Sequence, residues 1–177
     1  MKTCLVYGFA MSLAGAVLNL ALYFLGYHSD PAKLGLAQGI GSLGGLAIGI
    51  TCIVLGTKAR RAELPANEEF GYGRALGTGV MIVLFGALLG IVTNYLYFAV
   101  INPGMTDIIV QSQLEKMEAK GMSGVQLEQA EKMIRIMTNP PIQAAFGFLG
   151  GMFFGTVISL ITSAFLKRPA RDEFSQA

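Results

Sequence analysis

Four apolar stretches, at residues 3–27, 34–56, 75–101 and 142–166, account for more than half of the chain, and none carries an ionised side chain in its middle. Crossing the hydrocarbon core of a bilayer takes about 20 helical residues, and each stretch reaches that length. The sequence therefore predicts an all-α membrane protein: a four-transmembrane-helix bundle forming a single membrane domain over 1–177. Composition agrees, since charged residues make up 14% of the chain against about 25% in soluble proteins. Lys2 precedes the first stretch as it would in a secretory signal, but the apolar run continues through Leu20, Leu22, Phe24 and Leu25. That exceeds the roughly 7–15 residues of a cleavable signal, so it reads as an uncleaved first span.

Loop charge predicts orientation, because Lys and Arg favour the cytoplasmic side. Lys2, Lys58, Arg60, Arg61, Arg74, Lys167, Arg168 and Arg171 fall on one side, against Lys33, Lys116, Lys120, Lys132 and Arg135 on the other: eight against five. In the long loop the bases are outnumbered by Asp107, Glu115, Glu118, Glu128 and Glu131. Both termini are expected in the cytoplasm. Tyr23, Tyr27, Tyr95 and Tyr97 near one face and Phe70 and Tyr72 near the other fit interfacial aromatic belts. After Pro65, Asn67 either caps a short interfacial helix or belongs to an ordinary polar loop.

The segment 103–139 is expected to form an extracytoplasmic amphipathic helical hairpin between spans three and four. Met105, Ile108, Ile109, Leu114 and Met117 recur at helical spacing, Gly121 suits a left-handed helix end, and Ser123 with Gln126 matches a capping box. Val125, Ala130, Met133, Ile134 and Met137 make a second apolar face, closed by Asn139-Pro140-Pro141. Two such helices would lie over, or dip into, the outer membrane surface.

Glycines recur every four residues within the spans: Gly41, Gly45 and Gly49; Gly86 and Gly90; Gly147, Gly151 and Gly155. Gly8, Ser12 and Ala16 give a small-residue version in span one. Such rows let helix backbones approach closely where lipid supplies no hydrophobic drive, within one bundle or between copies. Gly39-Ile40-Gly41-Ser42-Leu43-Gly44 matches the letters of a dinucleotide fingerprint, but no strand precedes it and it lies inside a span, so helix packing is the expectation. The net charge of +2 is too small and dispersed for a nucleic-acid surface.

Asn19, Gln38, Asn94 and Gln143 place one amide on each span, with Asn19 and Asn94 about 10 Å from the outer helix ends at 1.5 Å per residue. They form a candidate polar cluster, either an interhelical network or the wall of a polar vestibule. No ionisable residue lies at mid-depth and no proline breaks a span, which argues against ion-coupled transport. His28 is the single histidine, so a zinc site within one chain is not expected. Five of the nine methionines fall in 103–139; thioethers bind soft Cu(I), but at helical spacing they serve as a flexible apolar face. Cys4 and Cys52 read as packing residues near one membrane face, with no disulfide. Neither a nucleophile–base pair nor a cofactor motif stands out, and no enzyme activity is expected.

Phe70-Gly71-Tyr72-Gly73-Arg74-Ala75-Leu76 enters span three, Tyr95-Leu96-Tyr97-Phe98-Ala99-Val100-Ile101-Asn102-Pro103 leaves it, and Lys120-Gly121-Met122-Ser123 and Leu160-Ile161-Thr162-Ser163-Ala164-Phe165-Leu166-Lys167 follow. In this order they resemble a bacterial family of four-helix integral membrane proteins of unknown function (domain of unknown function, number four-one-nine-nine). The resemblance covers nearly the whole chain. It implies the fold and an inner-membrane address, and gives no residue a catalytic role. The expectation is a scaffold or accessory interaction subunit in the lipid bilayer, meeting its own copies or another membrane protein. The alternative is a small solute- or lipid-handling protein that uses the polar cluster.

Overall fold

The computed structural model describes residues 1–65 and 67–169. Its helices are α1 (Lys2–Phe24), α2 (Leu34–Ala62), α3 (Tyr72–Leu96), a π-helical turn (Tyr97–Ile101), α4 (Met105–Glu118), α5 (Val125–Met137) and α6 (Pro140–Leu166). Four segments are long and apolar enough to cross a membrane: Lys2–Phe24, Leu34–Ala62, Tyr72–Ile101 and Pro140–Leu166. This is a multi-pass, all-α membrane architecture, as the four apolar stretches predict.

The boundaries have local causes. α1 stops at Phe24, short of Tyr27, because Gly26 adopts φ +78°. The Tyr27 N–H then donates to the Leu22 carbonyl at 3.0 Å and the Gly26 N–H to Tyr23 at 2.9 Å, the paired bonds of a Schellman end. α2 runs past Gly56 to Ala62, since Lys58, Arg60 and Arg61 continue the helix where cations complement its carboxyl-terminal dipole. Between Ala62 and Tyr72 the described residues form turns and one backbone bridge at Phe70, and Asn67 itself lies in a turn and not in a helix. Asp30 Oδ1 accepts from the Ala32 N–H at 2.9 Å and tightens the turn into α2.

Two helices lie in the segment between spans three and four. Gly121, at φ +86°, ends α4 as expected, with the Met122 N–H on the Met117 carbonyl at 3.1 Å. The Ser123–Gln126 capping box does not form. Gly124, at φ +58°, is the residue before the helix, and no side chain caps α5. Glycine's freedom at positive φ shifts the start by one residue and leaves Ser123 outside. The expected apolar face of α5 also divides: Ala130 and Ile134 are half-buried, whereas Val125, Met133 and Met137 are exposed.

Contacts group the chain into two units. The first comprises Met1–Ala14, Leu46–Leu89 and the chain from Phe148 onward. Its core is Cys4, Ile53, Ile82 and Val83, flanked by Tyr7, Phe85, Met152 and Ile158. Phe70 and Arg168 pair through backbone bonds of 2.9 and 2.8 Å, and the Arg168 guanidinium donates to the Pro65 carbonyl at 2.8 Å, tying the α2–α3 loop to the strand of chain after α6. The second unit comprises Gly15–Gly45 and Gly90–Gly147, around Leu34, Tyr97, Met105 and Ile109.

Candidate functional site

The four amides all fall in the second unit. Asn19 and Gln38 are exposed, while Asn94 and Gln143 are half-buried. No hydrogen bond joins any two of them among the described residues; the Asn94 Oδ1 is buried without a partner. The interhelical amide network is therefore not assembled within the chain.

The glycine rows separate into filled and open positions. In the first unit, a Cβ on Gly8 would lie 2.8 Å from the Ile82 carbonyl oxygen and 2.9 Å from the Gly86 nitrogen, so α1 and α3 approach backbone to backbone. Gly86 faces Met11, Gly155 faces Val83, and Gly79 receives the Ser159 hydroxyl. In the second unit Gly44 takes Leu18, and Gly41 only grazes Leu22 at 4.0 Å. At Gly45, Gly49, Gly90, Gly147 and Gly151 an added Cβ would meet nothing within 4 Å. Of the glycines in the periodic rows, Gly8, Gly86 and Gly155 have atoms of another helix where a Cβ would stand, and so do Gly44, Gly56 and Gly79, which lie outside those rows.

A buried polar cluster that sequence periodicity did not assemble lies at His28, Tyr97 and Asn102. His28, 5% exposed, meets the phenol of Tyr97, 7% exposed, through a hydrogen bond at Nδ1. Asn102 Nδ2 donates to the same phenol at 3.3 Å and reaches the His28 carbonyl at 3.5 Å. Tyr23 packs edge-on to Tyr97 with ring centroids 6.3 Å apart. Position follows from local winding: the Asn102 N–H bonds the Tyr97 carbonyl at 2.8 Å, five residues back, which closes the π turn. The cluster thus joins the α1–α2 turn to the end of the third span and the start of α4. Burial lowers the His28 pKa below its ordinary value of 6.5 and favours the neutral ring. The available signal was a lone histidine after an aromatic helix end and an Asn-Pro exit from span three; nothing in the spacing pairs them.

A second group missed in sequence lies in the first unit. Thr57, Thr78, Ser159 and Ser163 are buried on three helices. Ser159 and Ser163 satisfy their hydroxyls on carbonyls one turn back, at 2.8 and 2.5 Å, so they act as small packing residues. Near the loop, the Thr3 hydroxyl and the Arg60 guanidinium hold the Glu63 carboxyl below its usual range.

Between α4 and α5 an open cleft of about 480 Å³ is lined by the polar Asp107, Gln111, Glu115, Glu118, Glu131 and Arg135 and the apolar Val110 and Leu114. Arg135 bridges it, bonding Asp107 at 2.7 Å and Glu131 at 2.9 Å. Among the described residues no group of three or more His, Cys, Asp or Glu side chains is placed to hold a metal ion.

A family model described as Protein of unknown function (DUF4199) matches residues 6–168, and the chain belongs to that family. No curated protein and no solved structure matches it.

Proposed function

We propose, with membership of this family as the premise, that the protein is a non-enzymatic subunit of the bacterial inner membrane with both termini cytoplasmic. It would act by assembling with its own copies or with another membrane protein. The observation that carries this reading is the set of open glycines: Gly45 and Gly49 on α2, and Gly147 and Gly151 on α6, have no neighbour where a Cβ would stand. In lipid, helices associate through close van der Waals contact at small residues, and these positions remain free to receive a second helix. The exposed bulky residues around them, Leu43, Leu46, Phe146 and Leu149, would frame the contact or face acyl chains. The alternative, solute or lipid handling by the amides, rests on the unpartnered Asn94 oxygen; the exposure of Asn19 and Gln38 supports it less.

The test is native mass measurement in lipid nanodiscs and mild detergent for the wild type, Gly45→Leu and Gly151→Leu. Since the chain has room for a side chain at both positions, each variant should keep its own thermal stability and lose the assembly. An unchanged assembly in both variants would overturn the reading.

A further inference from the structure

We propose that α5, and not α4, is a lipid-contacting helix that lies in the headgroup zone with one apolar arc turned into the bilayer. The inference rests on the spanning helices and stands apart from the assembly reading above. The two hairpin helices differ sharply in what they hide. α4 buries Met105, Ile109 and Val110 within the chain, whereas α5 buries no residue at all.

The wheel of α5 has three sectors at 3.6 residues per turn. Leu127, Ala130 and Ile134 point inward and are half-buried, Ile134 against the cluster of Leu34, Tyr97, Met105 and Ile109. Glu128, Glu131, Lys132 and Arg135 share a second sector. The third holds Val125, Met133, Ile136 and Met137, which are 69%, 63%, 61% and 49% exposed; the exposed Gln126 and Gln129 share it in the amino-terminal half, so the apolar arc is continuous only over the last turns, from Met133 to Met137. A helix with this much open apolar surface beside a charged sector has the form of an interfacial helix.

Connectivity identifies the occupant. Only Thr138 and Asn139 separate Met137 from Pro140, the first residue of a spanning helix. Three residue steps reach at most about 11 Å, comparable to the roughly 5–8 Å depth of a headgroup layer on each side of the core. The link is also taut: the Thr138 N–H and hydroxyl bond the Ile134 carbonyl at 2.8 and 2.7 Å, and the Gln143 N–H bonds the Asn139 carbonyl at 2.9 Å. α5 therefore ends at the bilayer surface, two residues before a spanning helix whose first turns expose Phe146.

The charges specify the lipid chemistry. Lys132 pairs with Glu128 at 2.8 Å, and Arg135 is held by Glu131 and Asp107. With two cations and two carboxylates of its own, and Asp107 of α4 beside Arg135, α5 carries no net positive charge to favour anionic headgroups. Its affinity is for the acyl boundary of any bilayer, zwitterionic lipid included.

The chain contains no tryptophan, so a single introduced indole reports without background. Met133→Trp, Ile136→Trp and, on the charged sector, Glu128→Trp would each be reconstituted as the full chain in phosphatidylcholine nanodiscs. The readouts are quenching by lipids brominated near the top of the acyl chain and by aqueous iodide. Indoles at 133 and 136 should emit at shorter wavelength than the indole at 128. Bromolipid should quench them about threefold more strongly, and replacing a third of the lipid by phosphatidylglycerol should leave that ratio unchanged. Equal iodide quenching at all three positions would mean a solvent-facing arc and would overturn the proposal. Protection of 133 and 136 from both quenchers would also overturn it, by showing that protein, such as a second copy, covers the arc.

Discussion

The phenol of Tyr97 closes on the Nδ1 of His28 across 69 residues of chain, and both side chains are buried. A hydrogen bond between two buried polar groups holds geometry chiefly through the cost of breaking it, because each partner left alone forfeits its hydration. Here the bond fixes the α1–α2 turn against the exit of the third span, with Asn102 donating to both partners.

Removing the phenol should therefore loosen this end of the chain. Tyr97→Phe is expected to cost about 1–3 kcal/mol, read as a lower unfolding midpoint in detergent. The same site should be sensitive to acid. Burial holds the folded His28 pKa below 6.5, so on acidification the unfolded chain takes up the proton first. The stabilisation is complete above pH 6.5 and is lost as pH falls through the lowered folded value. Tyr23, Tyr97 and Asn102 are the polar groups set against the ring or its phenol partner; none supplies a negative charge to offset protonation. As His28 is the only histidine, His28→Asn should flatten the stability profile as the pH falls below the ordinary value of 6.5. A profile in that window that is the same with and without the imidazole would sink the assignment.

Filled and open glycines should respond oppositely to enlargement. Gly8→Ala would place a methyl group against backbone atoms of α3, and Gly155→Leu would drive a side chain into Val83. Overpacking of this kind costs about 1–3 kcal/mol, so both variants should unfold at lower temperature. Gly147→Ala, in open space, should unfold with the wild type. Equal melting of Gly8→Ala and Gly147→Ala would show that α1 and α3 are not in backbone contact.

Orientation can be read by impermeant thiol labelling of intact cells after Cys4 and Cys52 are replaced by Ala. A cysteine at Ser123, exposed beyond α4, should react from outside, and one at Glu69, exposed in the α2–α3 loop, should react only after the membrane is opened. Ser112 is unsuitable as a reporter because it is 2% exposed. The reverse pattern would invert the topology derived from loop charge.

The spans were legible because a bilayer imposes one length and one polarity on anything that crosses it, and both are visible residue by residue. Helix ends were less so. Lys58, Arg60 and Arg61 read as loop by charge, yet they extend α2, since long basic side chains reach the interface from a helix that continues beyond the hydrocarbon. Ser123 had the letters of a cap, but glycine at 124 took the turn. Glycine periodicity marks which residues share a helix face and carries no information on whether another helix stands opposite, which is why Gly155 is filled and Gly151, one turn away, is open. The pairing of His28 with Tyr97 depends on the azimuth of one ring, and a pattern of apolar residues does not encode it.

That azimuth comes from the π turn at Tyr97–Ile101. A turn wound this way holds one residue more than an α turn of the same reach, so the chain carries a spare residue there. Deleting Ala99 would let the segment rewind as α-helix and swing Tyr97 by about 100° relative to Asn102, carrying the phenol off His28 while leaving every side chain of the cluster in the sequence. The segment is thus a place where chain length, rather than residue identity, decides whether the turn between α1 and α2 is tethered.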